Sequence, residues 1–243
     1  MFDKDSSNSS SEGDEEETLE AVDQEDLSPE KCTFESLGVT NWIRRQLSCL
    51  GITTPSPVQA QCIPPVLEGK DSYFWFPHDH FYLTGRDCVG VAKTGQGKTL
   101  AFAIPILQEL SVDPYGIFAV VLTPTRELAA QIGDSFASVG AGMGLRHVVV
   151  TGGRDTIRQS QDLDRRPHVV VATPGRLADH IRNNSTLSLA RVKYLVLDEA
   201  DRLLAGANQL SSSLYQATYA MVLVPVTSYQ RQVCQSIFSQ ILK

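Results

Sequence analysis

The run Ala92-Lys93-Thr94-Gly95-Gln96-Gly97-Lys98-Thr99 places two glycines, a lysine and a hydroxyl in the order that a phosphate-binding loop requires. It follows a short apolar stretch with the composition of a strand and opens an amphipathic stretch with the spacing of a helix. Glycine in that context lets backbone N–H groups and a helix N-terminus face a triphosphate. Lys98 has the reach and charge for the β and γ phosphates, and the Thr99 hydroxyl is suited to Mg2+. Ala92 stands where the pattern GxxxxGK[ST] has its first glycine, so the bare pattern fails at one position. The same residues also suit an ordinary strand-to-helix turn with a solvated lysine.

Further along, Lys193-Tyr-Leu-Val-Leu-Asp198-Glu199-Ala200-Asp201 ends an apolar run on acids. An acid at the carboxyl end of a strand meets ligand in open α/β folds. Asp198 is suited to ordering Mg2+ and Glu199 to polarising an attacking water. Equally, acids there stabilise the start of a following helix through its dipole. A phosphate loop upstream tilts the choice toward catalysis.

These groups need a scaffold that brings strand ends together. Short apolar runs at 88–92, 117–122, 147–151, 168–172 and 194–197 read as strands, with helices following Gly97, Thr125, Arg154, Pro174 and Glu199. Continuous apolar runs of this kind suit strands buried on both faces, so the fold class is α/β, an open and mainly parallel sheet covered by helices. Upstream, 37–50 and 58–67 carry helical spacing on either side of Pro55 and Pro57. Two segments break the alternation. The stretch 70–85 holds six of the eighteen aromatics and lies where a surface loop is expected, and 205–243 is rich in Gln, Ser and Tyr.

Composition limits the classes. With 42% apolar residues in 243, the chain can build a core. No apolar run approaches membrane-spanning length, so a soluble chain made in the cytosol, without membrane contact, is expected. Five cysteines without CxxC spacing argue against a disulfide framework or zinc site. The net charge of −7 is uneven: residues 1–30 hold twelve acids against one lysine, leaving the remainder at +4. Residues 1–32 are therefore expected to be a disordered acidic tail.

Taken together, the phosphate loop and Asp198-Glu199-Ala200-Asp201 resemble the DEAD-box RNA helicases, a family in which an alanine opens that loop and those three acids and one alanine are the signature. Phe34 with Pro55-Ser56-Pro57-Val58-Gln59 is similar to the family's adenine-reading Q motif. Pro124-Thr125-Arg126-Glu127-Leu128-Ala129, then Thr151-Gly152-Gly153, then Thr173-Pro174-Gly175-Arg176 are similar to its RNA-contacting motifs. Arginines, hydroxyls and backbone N–H groups at helix starts suit a phosphate track. Read singly, the proline-bearing segments are also plain helix starts, with Pro at the first position and a capping Thr. The resemblance implies a RecA-like domain over 33–204 interrupted by 70–85. It further implies ATP and Mg2+ as cofactors, with Phe34, Gln59, Ala92, Lys93, Thr94, Gly95, Gln96, Gly97, Lys98 and Thr99 on the nucleotide. Lys98, Asp198 and Glu199 would be catalytic, and Thr99 and Asp198 would hold the metal. RNA would run along Pro124, Thr125, Arg126, Gly152, Gly153, Thr173, Pro174, Gly175 and Arg176. Residues 113–123 resemble a subgroup acting in small ribosomal subunit assembly, implying pre-ribosomal RNA, protein cofactors, a monomer and a nuclear or nucleolar location.

The family's second RecA-like domain is not expected here, nor is its Ser-Ala-Thr motif, of which Gln216-Ala217-Thr218 is a poor echo. The segment 219–226 is the candidate to replace the strand carrying that motif, but Pro225 argues against a central place in a sheet. A short form with impaired hydrolysis is therefore expected. The alternative is a non-catalytic nucleotide- or partner-binding fragment from an alternative or mis-spliced transcript, with 70–85 and about 205–243 of non-standard coding origin. A P-loop NTPase unrelated to nucleic acid is a third reading, set aside by Gln59 and Arg176.

Overall fold

Side chains alternate across a strand, so a strand covered on both sides must be apolar at every position. In the computed structural model this holds for β3 (Ala119–Leu122), β5 (Val169–Ala172) and β6 (Tyr194–Leu197), each buried at every residue. Ala119 and Val121, Val169 and Val171, and Tyr194 and Val196 enter one core cluster, while their neighbours Val120, Leu122, Val170, Ala172, Leu195 and Leu197 enter another. The structure describes residues 32–68, 82–84, 87–92, 95–183, 187, 189, 191–204 and 220–225, all within the unit Cys32–Lys243. Residues 1–31 of the expected acidic tail, Lys93, Thr94, and most of 70–85 and 205–243 lie outside the described residues.

The remaining elements follow in chain order: α1 (Asn41–Cys49), α2 (Pro57–Glu68), β1 (Tyr82–Thr84), β2 (Asp87–Val91), α3 (Lys98–Leu110), α4 (Arg126–Gly140), β4 (His147–Val150), α5 (Thr156–Asp164), α6 (Pro174–Asn183), α7 (Ala200–Leu204) and β7 (Ala220–Pro225). Ile43, Leu47, Cys62, Phe102 and Phe136 from α1 to α4 join the first cluster, and Leu163, Leu177 and Ala200 from α5 to α7 join the second. The helices thus cover both faces, as the sequence predicts. No helix among the described residues is long and apolar enough to cross a membrane.

The strands form one sheet in the order β1-β2-β7-β6-β3-β5-β4. β4, β5, β3 and β6 are parallel neighbours in matched register, with Val121 opposite both Val171 and Val196. β7 runs antiparallel to both β2 and β6, which leaves β2 pointing the same way as β6. The carboxyl ends of β2, β6, β3, β5 and β4 therefore share one edge of the sheet. Every sequence motif after Gln59 begins at one of those ends.

Three expectations need correction. β7 does take a central place, between β2 and β6, despite Pro225. Pro225 is its last residue, opposite Tyr194 at the start of β6, so the missing N–H falls at the strand's end and not within its ladder. The stretch 70–85 is not wholly loop, because Tyr82–Thr84 pair with Asp87–Val89 as an antiparallel edge strand. Helical spacing from Leu37 yields a helix only from Asn41, because Gly38 sits at φ 79° and closes a separate turn. Conversely, α2 runs through Pro64 and Pro65, held by the burial of Val58, Cys62, Ile63 and Val66.

Candidate nucleotide site and nucleic-acid groove

β2 delivers the chain to the phosphate loop and α3 takes it away. Gly95 and Gly97 adopt φ 85° and 86°, a left-handed conformation that a side chain opposes. At Gly97 space is also lacking, since a Cβ would stand 2.4 Å from Gln59 Nε2 and 3.0 Å from Ser56 Oγ. Gln59, buried in α2, donates from Nε2 to the Gly97 carbonyl at 3.0 Å and accepts from the Ser56 N–H at 3.0 Å. One amide hydrogen and one carbonyl lone pair remain for a ligand. Beside it opens a cleft of about 390 Å³ lined by Ile52, Thr54, Ser56, Gln59, Ala92, Gly95, Gln96, Gly97 and Leu100. Ile52, Thr54 and Leu100 carry no signal in the sequence, whereas Ser56 belongs to the segment similar to the Q motif. The Ser56 hydroxyl is buried without a hydrogen-bond partner, a position that a polar ligand would satisfy. Phe34 does not join this group; its ring is 4% exposed within the first core cluster.

Lys98 opens α3 with its side chain folded inward, and Nζ donates to the Ala92 carbonyl at 2.7 Å. Burial lowers its ammonium below the ordinary 10.5, against the raising pull of Asp198, Glu199 and Asp201. Asp198 sits at the end of β6, its N–H bonded to the Leu122 carbonyl at 2.9 Å. Burial raises its carboxyl above the ordinary 3.8, opposed by the Lys98 charge and the Glu199 backbone N–H, while Glu199 and Asp201 push it further up. Lys98 and the acids thus share one electrostatic site, though they are a hundred residues apart. Glu199 occupies φ 51°, unusual for a side-chain-bearing residue, and its Oε2 accepts from Arg202 at 2.6 Å.

Whether Mg2+ fits can be judged from the donors. Among the described residues no cluster of three or more His, Cys, Asp or Glu forms a cation cage. Mg2+ in nucleotide sites needs none, taking one or two protein oxygens and completing its shell with phosphate and water. A buried carboxyl at Asp198, a hydroxyl at Thr99 and a buried Asp201 Oδ1 without a partner supply that kind of donor. These residues fit the ion.

A second depression, of about 530 Å³, lies further along the same edge and is lined by Pro124, Thr125, Arg126, Glu127, Gly152, Thr173, Gly175, Arg176 and Asp179. Thr125 caps α4, its hydroxyl accepting from Leu128 N at 3.3 Å. The Arg126 guanidinium covers the Gly152-Gly153 turn so closely that a Cβ at Gly153 would stand 2.3 Å from it. Arg176 in α6 donates to the Thr156 hydroxyl at the start of α5. Pro174 is the first residue of α6. The structure therefore gathers all three proline- and glycine-bearing segments around one open groove with two arginines. Glu127, within the first of those segments, and Asp179, which no motif marked, temper its charge.

A family model described as DEAD/DEAH box helicase matches residues 56–223. The chain is 52% identical over 171 residues to the human protein named probable ATP-dependent RNA helicase DDX49, covering 70% of this chain and 32% of that one. It is 51% identical over 178 residues to the ATP-dependent RNA helicase DBP8 of Scheffersomyces stipitis, covering 72% and 36%. A crystal structure of a DEAD box protein from Methanococcus jannaschii superposes with TM-score 0.60 at 34% identity, over 74% of this chain and 45% of that one. The chain spans about a third of the length of these curated relatives.

Proposed function

Because the chain belongs to the DEAD/DEAH box helicase family, we propose that it binds Mg2+-ATP at its phosphate loop and RNA in the neighbouring groove, as part of an ATP-dependent RNA helicase. The observation that carries this reading is the placement of both sites on one sheet edge. Gln59, Lys98 and Asp198 gather at β2 and β6, and Arg126, Gly153 and Arg176 at β3, β4 and β5. Gln59 offers its free amide capacity to the base, Gly95 to Gly97 offer backbone N–H groups, and Lys98 turns from the Ala92 carbonyl to the phosphates. Mg2+, held by Thr99 and Asp198, would neutralise phosphate charge. Glu199 would accept a proton from the attacking water. Pre-ribosomal RNA as substrate and a nucleolar location rest on the resemblance of residues 113–123.

A second reading, binding with little turnover, draws support from the Glu199–Arg202 pair, which occupies the carboxylate that hydrolysis needs. The test is a thermal melt of the 243-residue chain with and without an Mg2+-ATP analogue, followed by steady-state hydrolysis with single-stranded RNA. Analogue at about 100 times its dissociation constant adds roughly 2.7 kcal/mol, an easily seen rise in midpoint. RNA-stimulated turnover supports the helicase reading. A shift without turnover supports the binding reading, and no shift removes both.

A further inference from the structure

Behind the groove runs a chain of buried polar contacts that the nucleotide and RNA assignments leave unused. Gln159 in α5 is 4% exposed and donates from Nε2 to the Thr151 carbonyl at 2.9 Å. That uses its amide nitrogen and leaves Oε1 as an acceptor toward His180 Nε2, 3.3 Å away in α6. His180, 2% exposed, must then carry its hydrogen on Nε2, because the facing oxygen can only accept. Its other nitrogen, Nδ1, stands 3.3 Å from Ser160 Oγ, which can donate to it.

Thr151 immediately precedes Gly152-Gly153, and His180 lies one helical turn from Arg176 on the same helix. The contacts therefore join the two walls of the groove from behind, while the Arg176 bond to Thr156 joins them at the lip. Buried polar groups that satisfy one another in this way are costly to leave half-paired, so the spacing they define is a stiff one.

We propose that His180, acting through Gln159, is a positioning residue for the nucleic-acid groove: it fixes the Thr151 carbonyl, and with it the Gly152-Gly153 turn, relative to the helix that carries Arg176. Neither side chain lines the groove, so neither touches RNA. The proposal rests on the reading of that groove as an RNA track, and its test separates the two.

The full chain and its Gln159→Met, His180→Ala and His180→Gln variants are compared by amide hydrogen exchange and by binding of a fluorescein-labelled oligouridylate and an Mg2+-ATP analogue. Gln159→Met keeps the volume but removes the donor, which guards against a variant that merely fails to fold. His180→Gln restores an N–H near the place of Nε2. Expected are tenfold faster exchange at residues 152–154 in Gln159→Met and His180→Ala, fivefold weaker oligouridylate binding, unchanged analogue binding, and recovery in His180→Gln. Unchanged exchange at 152–154 in folded Gln159→Met overturns the proposal, as does a parallel loss of analogue affinity. Faster exchange in the variants of a parent that binds no oligouridylate supports the positioning role and removes the RNA reading of the groove.

Discussion

Gln59 Nε2 bonds the carbonyl of Gly97 at 3.0 Å, so a side chain on α2 holds the phosphate loop in shape thirty-eight residues away. That contact passes through the space where any larger residue at 97 would put its Cβ. Gly97→Ala is therefore opposed twice, by a φ of 86° and by the Gln59 amide. The left-handed conformation alone costs about 1–2 kcal/mol. The expected result is a lower melting midpoint and weaker analogue binding, with partial recovery of the midpoint but not of binding in Gln59→Ala/Gly97→Ala. A double variant whose midpoint is no higher than that of Gly97→Ala would show that the steric contact with the amide contributes nothing.

Lys98→Ala removes the charge that would meet phosphate oxygens, and charge-assisted bonds are worth about 1.5–3 kcal/mol. Analogue affinity should drop at least tenfold. The fold should persist, because burial already disfavours the ammonium and its removal relieves that cost. Circular dichroism beside a binding isotherm checks both halves, and collapse of the far-ultraviolet signal would contradict the second.

The mainly parallel sheet and the edge that hosts the motifs were legible in sequence because the runs of β3, β5 and β6 are buried on both faces. Residues 198–201 and 92–99 announced their positions by following such runs. β7 was not legible in the same way. Its residues are apolar, but its direction is set by long-range pairing, Val89 with Val222 and Val196 with Leu223, that no local pattern records. The core burial of Phe34 was not legible for a related reason, since an aromatic near a motif serves the core or a ligand equally well until burial is known. The Gln159–His180 pair left no signal at all, being two polar residues on two helices whose partnership exists only in three dimensions.

Glu199 stands at φ 51°, where glycine would be relaxed. Glu199→Gly should raise stability by up to about 1 kcal/mol while abolishing any turnover, and Glu199→Gln should abolish turnover without the gain. Melts and steady-state hydrolysis of both variants check this. Equal midpoints for the two would place the strain elsewhere.

Burial lowers His147, His168 and His180 below the ordinary 6.5, with Arg146 adding to the effect on His168 and Arg176 to that on His180; Asp134 opposes it at His147 and Asp179 at His180. The unfolded chain then binds more protons than the folded one as pH falls, so stability is full above pH 6.5 and is lost below it. Asp198, raised from 3.8, acts in the opposite sense over its own window, as one group against three. The melting midpoint should fall by several degrees, roughly, between pH 7 and pH 5 at constant ionic strength. A midpoint that rises over that interval would mean these imidazoles are not held neutral.

The two arginines of the groove should be readable in salt dependence. Arg126 is backed by the Gly152-Gly153 turn and Arg176 by the Thr156 hydroxyl, so both guanidinium groups are held in place before a polyanion arrives. Each phosphate neutralised on a single strand contributes about −0.7 to the slope of log affinity against log salt. Arg126→Ala and Arg176→Ala should each make the slope for oligouridylate shallower by about that amount, with analogue affinity unchanged, because the nucleotide cleft is lined by other residues. An affinity loss with the slope intact would assign the arginines to shaping the groove, since a residue that only shapes it releases no counterions. An intact slope with intact affinity would move the RNA track off this edge altogether.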